Sequence, residues 1–557
     1  SRPTGFALYS SYNEIIPEKN ESSEYILVET KKLESFIGSF PCKMCFSERS
    51  KVITKCIKGF AVTLNVKCDD CDYETSFCTS QSTNTNDTPR GSYDVNRRVV
   101  KAIASIGKGH RALDMFCMSL NMSPMNYRTF QKHISSLHAS SKTEMEHVLE
   151  LARFEVKKCY GTLDADNEVF DITVSYDGSW QKRGFTSKYG IGCCIEILTG
   201  LVIDFEVISK FCNICEVAKR KISNPEHFQT WYNNHKGVCN QNYVGSSPGM
   251  EVEAAERLWR RSESIGFRYT TMLSDGDAKT IAHLNDCNIY GDKQIEKVEC
   301  LNHVAKRLGT GLRKLVKDRS KSKNPVGGRS RGHLSEPVIQ KLTRYYHNGI
   351  HKNLGNVTKM KEAIYATLFH CKSTDESPHH KLCPLGKESW CFYQRAIADG
   401  RSPEPHALKI KTPLSPNVVK EMLPLYERLS TETLLTRCLA GRTQNANEAL
   451  HNVIWSKCPK TVYTSKTKLE LGIFEAISIY NTGYMKTCSS YQEAAGISPG
   501  RHSYRIAKRF DKSRLRLSKR RKELQIGEYR RRLKVAQIAE EERLRATEGL
   551  VYGAGEF

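Results

Sequence analysis

Three carboxylates sit where segments of different kinds would deliver them to one point. Asp177 lies in DITVSYDGSW and Asp275 closes RYTTMLSD, two β-branched and aromatic runs that read as strands. Glu448 lies in TQNANEALHNVIW, a helical pattern in which Asn445, His451 and Trp455 recur at i−3, i+3 and i+7 and share its face. Taken singly, an Asp after a strand is a turn former and a helical Glu is solvated. A solvated helix has no need of a Trp beside its carboxylate. Acids from two strand ends and a helix can hold a pair of magnesium (or manganese) ions roughly 3.5–4 Å apart, the arrangement that drives in-line displacement at a phosphodiester.

The elements around the acids form a pattern. After Asp177, GSWQKRG reads as a turn, and YGIGCCIEILTG and LVIDFEVISK as two further strands of an antiparallel meander. Asp275 ends a fourth strand, DAKTIAHLND starts a helix, and KVECLNHV supplies a short fifth strand. The expected fold class is α/β with a mixed five-stranded sheet. The string SDGD offers both Asp275 and Asp277; Asp275 directly follows the strand, leaving Asp277 to cap the next helix.

The strings YDGSWQKRG, SDGD, Cys300-Leu-Asn-His303 and TQNANEALHNVIW followed by KCPK occur in the order found in Mutator-like transposases of the kind widespread in animal genomes, which the chain resembles from about Tyr93 to Tyr484. The resemblance implies an RNase H-like core interrupted by a helical insertion between the second Asp and the Glu, with the Cys300/His303 element close to the acids. Asp177 and Asp275 would bridge or flank two Mg2+ (or Mn2+) ions and Glu448 would complete the second site. His303 would orient the attacking water or contact the scissile phosphate, the alternative being a satisfied core histidine. The ions would activate water to cut at terminal inverted repeats and stabilise the departing 3′ oxygen. The freed 3′-hydroxyl would then attack target DNA, with no covalent enzyme intermediate. The other reading is a domesticated transposase that acts as a zinc-dependent DNA-binding regulator.

Composition agrees with a DNA enzyme. A chain of 557 residues forms several domains, and a net charge of +24 calls for a polyanionic partner. No apolar run reaches the length of a membrane span. The chain has 21 cysteines, and the C-x-x-C pairs among them (42/45, 68/71 and 212/215) suit thiolate-bound zinc in a reduced compartment. Cys42, Cys45, Cys68 and Cys71 predict a zinc ribbon; Cys212, Cys215, His235 and Cys239 predict a closed Cys3His site. Cys371, His380, Cys383 and Cys391 form a third candidate, in which His379 or His370 could substitute. Two or three structural Zn2+ ions follow. The basic run SKRRK at 518–522 suggests the nucleus, and joining two DNA ends suggests a homodimer or higher oligomer.

Composition breaks at 80–92 and 317–337, together with the interrupted core that the resemblance implies, suggest an N-terminal segment (1–40), the zinc ribbon (41–80), a helical DNA-binding domain (93–160), a first core part (165–310) with a zinc-binding insertion (210–245), a helical insertion (311–436), a last core part (437–485) and a basic helical tail (486–557). Arg97, Arg98, Lys101 and Lys108 would meet phosphates. So would Arg520 and Arg521, in a tail whose residues 501–534 hold fifteen Lys or Arg against three Asp or Glu. The stretch 317–337 reads as a basic linker that could track DNA backbone.

Overall fold

The computed structural model describes residues 23–83, 92–161, 169–182, 186–275, 278–322, 324–460 and 464–523. Its strands are β1 (Ser50–Lys58), β2 (Ala61–Cys68), β3 (Glu74–Cys78), β4 (Phe170–Trp180), β5 (Tyr189–Glu196), β6 (Val202–Ser209), β7 (Phe267–Ser274) and β8 (Glu296–Glu299). The first three form an antiparallel sheet in sequential order. The other five form a mixed sheet of order β6-β5-β4-β7-β8, with β5 and β6 antiparallel and β7 and β8 parallel. All five expected strands of this sheet are present. β5 is buried at every position, which is why YGIGCCIE shows no alternation of apolar and polar residues. Its turn into β6 is fixed by Glu196, whose buried carboxylate accepts from Leu198 N, Thr199 N, the Thr199 hydroxyl and Tyr160 OH at 2.7–2.8 Å.

The described chain forms two compact units. In the first (23–170, 178–258 and 448–523), the 34-residue helix Tyr127–Tyr160 packs along helix Lys466–Ala494 and against β6. A second apolar cluster, with Val100, Leu113, Met125, Phe130 and Leu471, closes over the turn between helices Asp94–Ser105 and His110–Leu120. Helix Lys466–Ala494 breaks at Gly483 (φ 88°, ψ 173°), and Asp511 of helix Arg501–Glu523 accepts the freed N–H groups of Tyr484 (2.9 Å) and Met485 (2.8 Å). The basic C-terminal helix is therefore docked at its middle by a buried carboxylate.

In the second unit (171–177 and 259–447), helices Leu301–Asp318, Glu336–His351, Val357–Lys372 and Pro416–Leu429 enclose Leu308, Leu342, Tyr346, Ile364, Met422 and Tyr426. The stretch expected as a linker at 317–337 is instead tied into this core. Val326 and Leu334 are buried, and Leu334 N donates to Val326 O at 2.8 Å. Two apolar residues in a run of Lys, Ser and Gly suffice to anchor it. No helix among the described residues is long and apolar enough to cross a membrane.

The edge strand β6 is latched by Asn481, fully buried, whose Oδ1 accepts from Val202 N (3.0 Å) while its Nδ2 donates to Val202 O (2.9 Å). Replacing Asn481 with Ala removes both partners and should lower the unfolding free energy by about 2–3 kcal/mol, read from the urea midpoint. An unchanged midpoint would mean that the latch contributes nothing.

Candidate active site and metal centres

The first knuckle pair is assembled at the open end of the β1–β2 hairpin, where Ser50 pairs with Cys68. Cys42 and Cys71 sulfurs lie 3.6 Å apart, and those of Cys45 and Cys68 3.5 Å. A disulfide would bring them to about 2.05 Å. Four sulfurs about 2.3 Å from a zinc ion form a tetrahedron with edges of about 3.8 Å, which these separations match. Met44 N and Asp70 N point at Cys42 and Cys68 sulfurs (3.4 Å each), and the N–H groups of Cys45 and Met44 hold the Cys42 thiol down to about 7. At the other end of the hairpin Gly59 (φ +67°) makes the turn, which Asn96 clasps through Phe60 N and Lys58 O (2.8 Å each).

The second set lies just beyond β6. Cys212 Sγ is 3.3 Å from His235 Nε2, and Cys215 Sγ is 3.5 Å from Cys239 Sγ. Burial alone would push Cys212 up, but N–H groups and His235 bring it to about 6. Trp231 stacks on His235 at 4.8 Å. Asn242 then returns the chain to β6, bonding Ser209 N (2.7 Å) and Val207 O (2.9 Å). Ile214, Val217 and Val238 in this excursion are exposed, so it has little core of its own, and a metal ion held by the four ligands would order it.

In the third set a correction is required. The ligand atoms within 4.8 Å of one another belong to His370, His380, Cys383 and Cys391. Cys371 is instead buried in the helical core, and burial pushes its thiol up to about 12. Met360, Ile364, Leu368 and Cys371 recur along one face of helix Val357–Lys372, and one residue back along the helix His370 leaves that face by about 100°. Carrying the apolar period through to 371 would have chosen His370. Two further residues had no sequence signal. His380 Nε2 is 2.8 Å from His406 Nε2, and His406 Nδ1 is 2.6 Å from Asp375. With His380 Nδ1 turned to the cluster, this chain fixes its tautomer as an outer-shell partner does.

The acids are carried by neighbouring elements. Asp177 lies in β4, Asp275 directly follows its sheet neighbour β7, and both are partly buried. Asp277 lies outside the described residues. Glu448, exposed, is in the first turn of helix Asn445–Lys457. The segment before it is anchored by buried polar side chains. Gln444 Nε2 donates to Tyr176 O (2.9 Å), Asn447 Nδ2 donates to Ser175 O (3.3 Å), and the Ser175 hydroxyl bonds Asn447 Oδ1 (2.5 Å). Gln444 N reaches Cys300 Sγ (3.4 Å), and Cys300 N donates to Ser274 O (3.3 Å). Burial raises the Cys300 pKa, which keeps a neutral thiol at this junction. Leu301 N to Arg442 O (3.0 Å) and Asn302 Nδ2 to Asn445 Oδ1 (3.1 Å) fasten the same two segments. Arg307 spans the buried Glu299 (2.6 Å) and the carbonyl of Asp275 (3.4 Å). His303, partly buried, lies in the first turn of the helix that Cys300 caps. Further along the Glu448 helix, Trp455 Nε1 donates to Ser179 Oγ (2.8 Å), and burial holds the His451 pKa down at about 3, so its ring is neutral. The face shared by these residues is exposed at Asn445 and Glu448, buried at His451 and partly buried at Trp455.

The basic residues expected to meet DNA divide. Lys108 is exposed. Arg98 is bonded to Asp94 (2.6 Å) and to Ser498 O (2.9 Å), and Arg97 is half-buried beside His133 and Ile497. Lys101 Nζ is buried without a hydrogen-bond partner among the described residues, and burial pushes its pKa down. These three belong to the packing of helix Asp94–Ser105 rather than to a free basic face. On helix Arg501–Glu523, Arg501, Arg505, Lys508, Lys512 and Arg516 recur on one exposed face opposite Ala507 and Asp511. The side chains of Arg520 and Arg521 lie outside the described residues.

Residues 24–391 match the family model of the Mutator-like transposase. A search of curated proteins finds no match.

Metal analysis should find three zinc ions per folded chain, one for each cysteine-containing tetrad. His370→Ala should lower that number by one and Cys371→Ser should leave it unchanged; the reverse pattern would restore Cys371 as the ligand.

Proposed function

Because the chain belongs to the Mutator-like transposase family, we propose that it cuts DNA at transposon ends and joins the freed 3′-hydroxyl to target DNA at an RNase H-like centre formed by Asp177, Asp275 and Glu448. One observation carries this reading. A single run of hydrogen bonds, Tyr176–Gln444–Cys300–Ser274, links the residues adjoining Asp177 and Asp275 to the segment that leads into Glu448. The mixed sheet with its central β4 beside β7 fits such a core.

An all-carboxylate donor set suits Mg2+ or Mn2+ rather than the zinc of the cysteine sites. When bound, two such ions would activate the attacking water and stabilise the leaving 3′ oxygen. The chain's own groups orient the donors. Gln444 and Asn447 hold the start of the Glu448 helix, and Arg307 holds the carbonyl of Asp275. His303 is proposed to orient water or contact the scissile phosphate. The enzyme is further proposed to act in the nucleus as a dimer or higher oligomer, since two ends must be joined.

Asp177→Ala, Asp275→Ala and Glu448→Ala should each slow Mg2+-dependent cleavage of a labelled end duplex by roughly a thousandfold or more, about 4 kcal/mol of transition-state stabilisation, with DNA affinity nearly unchanged. Cutting retained in Asp275→Ala but lost in Asp277→Ala would move the second acid. Cutting retained in all single variants would defeat this assignment of the acids, and a wild-type chain that binds end DNA without cutting it would leave a DNA-binding regulator as the better reading.

A further inference from the structure

The strand end that carries Asp275 is bordered by charges that do not cancel. Glu299 closes β8, where Ser274 is its register partner, and its carboxylate is buried. A buried carboxylate needs one cation, and this one has two. Oε1 lies 3.3 Å from Lys297 Nζ, and Oε2 lies 2.6 Å from Arg307 Nη2. The Lys297 side chain is 9% exposed and that of Arg307 34%, so the unbalanced positive charge reaches solvent through Arg307.

The guanidinium is aimed by its anchor. Arg307 Nη2, bonded to Glu299, also reaches the carbonyl oxygen of Asp275 (3.4 Å), which places it beside an acid proposed to hold a metal ion. Its other N–H groups, on Nε and Nη1, have no hydrogen-bond or ion-pair partner among the described residues. Arg307 follows His303 by four residues on helix Leu301–Asp318 and shares its face, while Leu301, Val304, Ala305, Leu308 and Leu312 turn into the helical core. A guanidinium fixed at one nitrogen, with donors to spare and a net positive charge behind it, suits an anion that brings several acceptor oxygens.

We propose that Arg307 binds a non-bridging oxygen of a DNA phosphate that flanks the scissile one in the strand that is cut. The proposal rests on the catalytic reading of Asp177, Asp275 and Glu448 and adds a substrate contact to it. In that reading the metal ions take the oxygens of the scissile phosphate, which leaves a flanking phosphate to the chain's own cation. Glu299 and Lys297 are positioning residues. Glu299 fixes the guanidinium before DNA arrives, and Lys297 neutralises Glu299 so that the charge of Arg307 is kept for the substrate. Lysine would not serve as well at this position, because an ammonium lacks the planar fork that reaches a carboxylate and a phosphate at once.

The test is a cycle between the side chain and the substrate. End duplexes that each carry one neutral methylphosphonate, at either phosphate next to the cut, are offered to the full wild-type chain, to Arg307→Lys and to Arg307→Gln. The first variant keeps a cation for Glu299 and the second leaves Glu299 to Lys297, so at least one should keep the wild-type thermal midpoint. Each should cut the all-phosphate duplex in Mg2+ roughly ten- to a hundredfold more slowly than wild type. At one of the two positions the methylphosphonate should slow wild type by a similar factor and the variants by no more than about threefold further. Fluorescence anisotropy in EDTA should show the same pairing in affinity: weaker wild-type binding at that position and no further loss in the variants. Losses that multiply at both positions, in cutting and in binding alike, would overturn the contact while the catalytic reading stands. A wild-type chain that does not cut the all-phosphate duplex would overturn the catalytic reading and this contact with it.

Discussion

The geometry of the candidate site depends on a few buried polar contacts between segments far apart in the chain. Gln444 and Asn447 are buried and need partners, and they find them on the backbone and hydroxyl of Ser175 and Tyr176. Cys300 closes the junction because burial keeps its thiol neutral and able to accept the N–H of Gln444. Leaving any of these groups unpaired would cost about 1–3 kcal/mol, so the arrangement has few alternatives of similar energy. Glu448, one residue past Asn447, inherits its position from them while staying exposed to solvent.

Tetrads of cysteine and histidine that could hold a metal ion lie where apolar residues are scarce. The ribbon has a thin sheet with exposed Ile53, Ile57 and Phe77, and the excursion after β6 exposes Ile214, Val217, Val238 and Val244. With a metal ion bound, thiolates and imidazoles at tetrahedral spacing would supply what a core does not. In the third tetrad the outer pair His406 and Asp375 makes His380 a directed ligand rather than a rotating ring.

Much of this was legible in the sequence. β-branched runs marked the five strands of the mixed sheet, and C-x-x-C spacing marked two of the cysteine-containing tetrads. What stayed hidden depends on partners that spacing does not reveal. Gln444 and Asn447 look like ordinary helix-start residues until Ser175 and Tyr176 lie beside them. The choice of His370 over Cys371 turns on which side of a helix faces a core built from three other helices. Arg97, Arg98 and Lys101 look like a basic face, yet their helix packs against Lys466–Ala494 and takes them out of solvent or into bonds with Asp94 and Ser498. Charge content predicts a polyanionic partner; which cations remain free to meet it is decided by packing.

The central claim is that metal ions held by Asp177, Asp275 and Glu448 touch the phosphate that is cut. The most direct test replaces a non-bridging oxygen of the scissile phosphate with sulfur, which Mg2+ binds poorly and Mn2+ accepts more readily. The account predicts that one sulfur stereoisomer is cut far more slowly than the oxygen substrate in Mg2+ and recovers in Mn2+. Equal cleavage of the sulfur and oxygen substrates in Mg2+ would contradict it.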